Sequence, residues 1–222
     1  MKYILIDLDG TLLDFKKGER KSIINTLNNV GYNPTEEDIK LFSDINEEEF
    51  EKYKINLKTR PEFHHDRFKR LKDKLNIDYD IDETNKYYVK ELKYSSETFD
   101  DIFDSLKYLS NKYDLFVASN GMCEVQLKRM ELSGLDKYFK KCFISEECGA
   151  NKPDIKFFEY IFNDLNDYDK SNYIIIGDRL DTDILGGINA GIKTLYINRN
   201  NINNEIKPDY EIFDFNEIKN IL

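Results

Sequence analysis

The chain has 222 residues with a formal net charge of -10, and it is 40% hydrophobic and 34% charged. That balance describes a folded rather than a disordered chain, long enough for a core domain carrying an insertion. The acidic excess argues against a nucleic-acid polymer as partner, because tracking a phosphate backbone needs clustered Lys and Arg, and no stretch reaches the roughly 18 to 20 apolar residues that span a bilayer.

Met1-Lys2 runs into the first apolar stretch without the apolar core of a signal peptide, so a cytoplasmic protein with no membrane partner is expected. The three cysteines, Cys123, Cys142 and Cys148, lack C-x-x-C spacing and are expected to be buried or incidental thiols.

Tyr3, Ile4, Leu5 and Ile6 form a continuous apolar run, as a strand buried on both faces requires. The segment IDLDGTL places Asp7 and Asp9 at its end. A helical pattern comes next: Ile23, Ile24, Leu27 and Val30 share a face that stops at Gly31. Thr35 and Asp38 resemble a capping box opening a second helix. Pro61 fits the first turn of a third, PEFHHDRFKRLKDKL, and DETNKYYVKELKY reads as a fourth.

From about residue 96 the texture changes to alternating helices and buried strands. FDDIFDSLKYL, MCEVQLKRMELSG, DIKFFEYIFNDL and TDILGGINAG read as helices, while DLFVASN, KCFISEE, NYIIIGD and KTLYIN read as strands. NRNNINNE near the end reads as a polar loop. Such alternation predicts an α/β fold, a doubly wound parallel Rossmann-like sheet. The expected core comprises residues 1–15 and 96–222, and residues 16–95 form an inserted all-helical cap hinged near Phe15-Lys16 and Ser95-Ser96.

Strand ends carry the candidate chemistry: Asp7 and Asp9, Ser119 and Asn120, and Asp178, with Lys152 in ANKPD before a helix. In doubly wound sheets the ligand crevice lies at the carboxyl ends of the strands, so these positions converge. Asp7, Asp9 and Asp178 cannot sit together as bare anions. A hard divalent cation such as Mg²⁺ resolves the conflict and leaves room for substrate phosphate. Lys152 and Ser119, with Asn120 beside it, would hold the remaining phosphate oxygens. The matching chemistry is phosphoryl transfer through an aspartyl-phosphate, with Asp7 as in-line nucleophile and Asp9 as acid and base. Gly10 permits the tight turn that bends Asp9 over the site.

DLDGT, the Ser119-Asn120 strand end, Lys152-Pro153 and GDRLDTD, in that order, resemble the four motifs of the haloacid dehalogenase (HAD) superfamily of phosphatases. The helical block resembles its small cap inserted after strand one. The resemblance implies Asp7, the Asp9 backbone carbonyl and Asp178 as Mg²⁺ ligands and Asp183 as an outer-shell acid. SGLDKYF, FISEECGANKPD and TDILGGINAGIKTLYIN are further similar to the pyrimidine 5'-nucleotidases of the superfamily, which hydrolyse nucleoside monophosphates. A small phosphate monoester, in all expectation a nucleotide, is then the substrate. Arg67-Phe68 falls where that subgroup carries Arg-Phe. Tyr196 stands where a tryptophan is expected and Arg179 where Ser or Thr is usual, departures that bear on substrate rather than chemistry.

Plainer roles stand beside these. Asp181 is read as structural, and the runs EEEFEK and RFKRLKDK as solvated helix faces. Arg67 and His64 are candidate substrate contacts in the cap, against a surface salt bridge for Arg67 and a solvated or capping role for His64 and His65. A sugar-phosphate phosphatase or mutase is the alternative within the family. A receiver-like module that keeps a phosphoryl group on aspartate is the alternative outside it, opposed by the cap and by Asp9.

Overall fold

The computed structural model describes every residue except Asn204, and it divides into two compact units, Met1–Asp14 with Ser96–Leu222, and Phe15–Ser95. The first contains β1 (Tyr3–Ile6), α5 (Phe103–Ser110), β2 (Asp114–Ser119), α6 (Cys123–Ser133), β3 (Lys141–Ile144), α7 (Ser145–Cys148), α8 (Ile155–Leu165), β4 (Tyr173–Gly177), α9 (Leu185–Ala190), β5 (Lys193–Ile197) and β6 (Tyr210–Ile212). The second contains α1 (Phe15–Asn29), α2 (Glu36–Lys54), α3 (Arg60–Leu75) and α4 (Ile81–Lys93).

The sheet has the order β3-β2-β1-β4-β5-β6, parallel throughout. Successive side chains of a strand face opposite ways, and both faces are closed. Ile4 and Ile6 join Val117, Ile174, Ile176, Leu106 and Leu109 on one side. Leu5 joins Phe116, Ile175 and the α8 stripe Phe157, Phe158, Ile161 and Phe162 on the other. The KFFEYIF run is therefore core, each ring worth roughly 1.5–3 kcal/mol on burial.

The chain leaves β1 toward β2 and β3, then returns to the opposite side of β1 for β4. The order reverses between β1 and β4, and Ile6 pairs with both Val117 and Ile176. The strand-end residues Asp7, Ser119 and Asp178 thus emerge side by side at the switch point, where such sheets bind ligands.

Local departures from the sequence pattern have local causes. KCFISEE is a strand only to Ile144; Ser145–Cys148 turns helical, with Glu146 and Glu147 in its first turn and Gly149 closing it at φ 72°. The helix expected from Phe99 begins at Phe103, because Phe99 donates its N–H to Leu12 O instead. The edge strand β6 is short and largely exposed, so it lacks the apolar run that announces the others. In the polar loop over 198–205, the Asn198 amide accepts from Ile202 N–H at 2.9 Å and donates to Glu211 at 2.7 Å; Asn204 lies outside the described residues. All three cysteines are free and half-buried, and burial, reinforced by Glu147, pushes their thiols up to about 11 or 12. Among the described residues no helix is long and apolar enough to cross a membrane.

The helical unit is well capped. Thr35 and Asp38 form a reciprocal capping box on α2, Thr59 and Glu62 another on α3, and Pro61 sits in the first turn of α3. Its apolar centre is Phe42, Phe68 and Tyr88, with ring centroids 5.1–5.5 Å apart. Two readings of the charge runs are overturned here. Arg67 lies on no surface: it is 4% exposed, donates to Asn46 at 3.0 Å and Asn85 at 2.7 Å, and stacks over the Phe63, Phe68 and Tyr88 rings. Glu49, in EEEFEK, is fully buried and receives Lys52, Lys58 and Arg70. Helical period placed both on inward positions; amide oxygens of α2 and α4 accept from Arg67, while Lys52 of the same helix, Lys58 of the following loop and Arg70 of α3 donate to Glu49.

Burial acts to raise the Glu49 carboxyl, but the hydrogen bonds from Lys52, Lys58 and Arg70 more than offset it and hold it at about 2. A depressed carboxyl contributes stability that is complete above the unfolded value near 4.5 and is lost as pH falls through the folded value. Glu49→Gln is therefore expected to cost roughly 1.5–3 kcal/mol at pH 7. The gap in Tm between wild type and variant should close as pH falls from about 4.5 toward 2; a gap unchanged over that window would refute the assignment.

Candidate active site

Asp7 and Asp178 sit where β1 and β4 have just run out, Asp183 in the turn after β4, and Lys152 between α7 and α8. Asp7 still donates its N–H to Ile176 O at 2.9 Å, so its backbone is pinned to β4. Its Oδ1 accepts from Lys152 Nζ at 2.7 Å. Lys152 Nζ also donates to Asp183 Oδ1 at 2.6 Å and to Ala118 O, so its three protons are directed at three oxygens. The Lys152 side chain is 1% exposed. Burial works against its charge, but Asp183 and Asp7 outweigh it and hold the ammonium well above the ordinary lysine range.

Thr11 Oγ1 lies 3.0 Å from Asp178 Oδ1 and 3.4 Å from Asp7 Oδ2, bridging the strand ends. Asp183 hangs from a single π turn, Leu180–Ile184, and its Oδ2 accepts from Arg179 N–H at 3.1 Å. Asp7, Asp178 and Asp183 each offer an oxygen, all within 4.8 Å of one another. Burial holds the Asp7 carboxyl well above the ordinary range, opposed by Lys152 and reinforced by Asp183 and Asp178. Burial and then Asp183 push Asp178 up to about 7. Three carboxylates against one lysine leave a deficit of positive charge, and their hard oxygen donors fit a divalent cation.

Two glycines make this crowding sterically feasible. Gly10 has φ 89°, and a Cβ there would fall 2.1 Å from Asp178 Oδ2; a Cβ on Gly177 would fall 2.2 Å from Asp183 Oδ2. Any larger residue at either place displaces an acid of the cluster.

Of the sequence candidates, Lys152 bonds Asp7 directly, and Asp178 stands beside Asp7, linked to it through Thr11. Asp183 joins them more closely than an outer-shell role suggests, although Lys152 and the Arg179 N–H already engage both of its oxygens. Asp9 points its carboxylate elsewhere, to Arg129 at 2.5 Å and Gln126 at 2.7 Å. Ser119 Oγ accepts from Gly121 N–H at 3.1 Å and Gln126 Nε2 at 2.9 Å. The Asn120 amide clasps the Lys152 main chain, donating to its carbonyl at 2.9 Å and accepting from its N–H at 2.8 Å. Asp181 pairs with the Arg179 guanidinium at 3.1 Å. Tyr196 is a buried position of β5. In the helical unit, the His64 ring packs against Phe63 with centroids 5.1 Å apart, and burial with Arg67 and Arg60 lowers it to about 3, which keeps it neutral. His65 is more exposed and pairs with Asp66 at 3.1 Å.

Thr11, Gly177, Gln126 and Arg129 were absent from the sequence candidates. Thr11 is inside DLDGT and Gly177 precedes Asp178, so position alone could have singled them out. Gln126 and Arg129 read as the polar side of an ordinary amphipathic helix, and only the tertiary fold buries them.

A family model for haloacid dehalogenase-like hydrolases matches residues 4–197. The chain belongs to this family. Among the relatives of this HAD-like hydrolase is pyrimidine 5'-nucleotidase PynA of Streptococcus pneumoniae, 32% identical over 100% of this chain and 97% of that protein. Pyrimidine 5'-nucleotidase YjjG of Escherichia coli is 26% identical over 99% of this chain and 97% of its own. Among solved structures, the HAD-hydrolase YfnB of Bacillus subtilis, bound to magnesium, superposes with a TM-score of 0.93 at 30% identity, covering 99% of this chain and 97% of that one.

The acids predict a pH-dependent stability. Asp178 is raised from an ordinary value of 3.8, so its ionisation is disfavoured in the fold and stability falls as pH rises from 3.8 through about 7. In the presence of a chelator, Asp178→Asn should gain Tm relative to wild type as pH increases across that range. A difference that does not vary with pH would show that the carboxylate is not under this repulsion.

Proposed function

We propose that this HAD-like hydrolase is a Mg²⁺-dependent phosphomonoesterase working through an aspartyl-phosphate on Asp7, with pyrimidine nucleoside 5'-monophosphates as substrates. The observation that carries the chemistry is the buried Lys152 ammonium between Asp7 and Asp183 beside Asp178. The likeness to PynA over the whole chain supports the substrate class. Asp7, the Asp9 backbone carbonyl and Asp178 are the residues assigned to hold Mg²⁺. When bound, the ion supplies positive charge against the carboxylates and the substrate phosphate, lowering the cost of bringing them together.

Each residue takes one part of the reaction. Lys152 neutralises part of the charge on Asp7 and is assigned a phosphoryl oxygen in exchange for one of its three present acceptors, with Ser119 assigned to another phosphoryl oxygen. An Asp7 oxygen attacks phosphorus in line, the bond from phosphorus to the ester oxygen breaks, and Asp9 gives its proton to that oxygen. Asp9, now a carboxylate, takes a proton from water as the water oxygen attacks phosphorus, and Asp7 leaves as the free carboxylate. Asn120 supports the reaction indirectly by holding the Lys152 backbone against the end of β2.

The test is phosphate release from dUMP, dTMP, CMP, AMP and several sugar phosphates, with and without Mg²⁺, using Asp7→Asn as the blank. Selective Mg²⁺-dependent release from the pyrimidine nucleotides is expected, and Asp7→Asn should release none. Faster turnover of sugar phosphates would overturn the substrate assignment. A stable phosphorylated chain without turnover would overturn the hydrolase mechanism.

A further inference from the structure

Asp9 is gripped by two side chains that take no part in the bond-making and bond-breaking steps. Gln126 and Arg129, three residues apart on one face of α6, are each 1% exposed. The Asp9 side chain they hold remains 29% exposed. Arg129 Nη1 donates to Asp9 Oδ1 at 2.5 Å and Gln126 Nε2 to Asp9 Oδ2 at 2.7 Å, so each carboxylate oxygen has its own donor. The two donors are tied together, Arg129 Nη1 to Gln126 Oε1 at 3.0 Å, and Gln126 Nε2 reaches Ser119 Oγ at 2.9 Å.

The backbone makes room for this arrangement. A Cβ on Gly121 would lie 2.6 Å from Gln126 Cγ and Nε2, so the turn after β2 accepts the Gln126 side chain only because that residue is glycine. A guanidinium so deeply buried is costly unless its charge is met, and Asp9 meets it. A partly exposed carboxylate without such donors would sample several rotamers, most of them useless for proton transfer.

We propose that Gln126 and Arg129 are positioning residues for Asp9. They fix its carboxylate beside Ser119 at the end of β2, the strand paired with the one that leads to Asp7, so that one side chain in one place serves both half-reactions. Because the Gln126 amide also bonds the Ser119 hydroxyl, the acid is registered to the strand end assigned to the phosphate. This proposal rests on the phosphatase reading and on Asp9 as its acid and base. In the first half-reaction Asp9 hands the ester oxygen a proton that it has first taken from solvent, as the bond from phosphorus to that oxygen breaks. Arg129 then meets the full charge of the carboxylate until water returns a proton to it.

The test separates proton delivery from general damage by varying the leaving group. p-Nitrophenolate departs without protonation, whereas a nucleoside 5'-alkoxide needs the acid. With Arg129→Met and Gln126→Leu, single-turnover phosphorylation by uridine 5'-monophosphate is expected to slow by about 10- to 100-fold, the scale on which misplacing a catalytic group acts. The nitrophenolate burst from p-nitrophenyl phosphate should slow by less than about 3-fold on the same grounds. KM should change little, and Arg129→Lys should recover most of the rate.

Equal loss on both esters, or no loss on either, would overturn the positioning role. Gln126→Leu is close in volume and removes the Gln126 bonds to Asp9, Arg129 and Ser119 while leaving the Arg129–Asp9 ion pair in place, so with Ser119→Ala as the control for the phosphate side it decides the matter if Arg129→Met does not fold. A wild-type chain inactive on every ester would overturn the phosphatase reading itself, an outcome distinct from variants that match an active wild type.

Discussion

The buried ammonium of Lys152 is the interaction on which the site depends. A lysine at 1% exposure survives only if all three of its protons find acceptors and its charge finds a counter-charge, and Asp7, Asp183 and Ala118 O provide both. Those acceptors come from the end of β1, from the π turn after β4 and from β2, three pieces of chain far apart in sequence. The cation therefore ties the sheet's switch point together while leaving the cluster with more negative than positive charge. That residual deficit distinguishes the cluster from a satisfied structural ion pair.

Supporting residues act on the backbone more than on the charges. Asn120 spends its amide on the main chain of Lys152, and Thr11 spans Asp7 and Asp178. Gly10 and Gly177 leave space that the carboxylates fill. The π turn at Leu180–Ile184 fits the same pattern: a widened turn at the head of α9 turns Asp183 toward Lys152 and frees the Arg179 N–H for its other oxygen.

The helical unit shows the same physics away from the strand ends. Glu19, Asn46, Arg67 and Asn85 form a polar interior in which Arg67 is met by neutral amides and aromatic faces, with Glu19 held by Ser43 and Asn46. Charge runs such as EEEFEK and RFKRLKDK look solvated in one dimension because charged residues usually are. Here one charged member of each run falls on the inward stripe of its helix, and its partners come in part from other segments: Asn46 and Asn85 on α2 and α4 for Arg67, the loop residue Lys58 and Arg70 on α3 for Glu49. Period alone could indicate the inward position, but the partner is a property of packing.

Much of the molecule was legible in the order of its residues. Apolar runs too continuous for a one-sided sheet required a parallel sheet covered on both faces. Thr35 and Asp38 marked a helix start by local hydrogen bonding alone, and the acids and serine after apolar runs marked residues that gather at one end of the sheet. These features are local, and local propensity and periodicity suffice for them. The strand order β3-β2-β1-β4-β5-β6 was decided only by the tertiary structure, and with it the meeting of Asp7 with Asp178. So were the partners of Asp9, the inclusion of Asp183 in the cluster and the burial of Arg67 and Glu49. Each of these depends on which distant segment supplies the opposing charge or donor, and a residue's own neighbours in sequence carry no record of that choice.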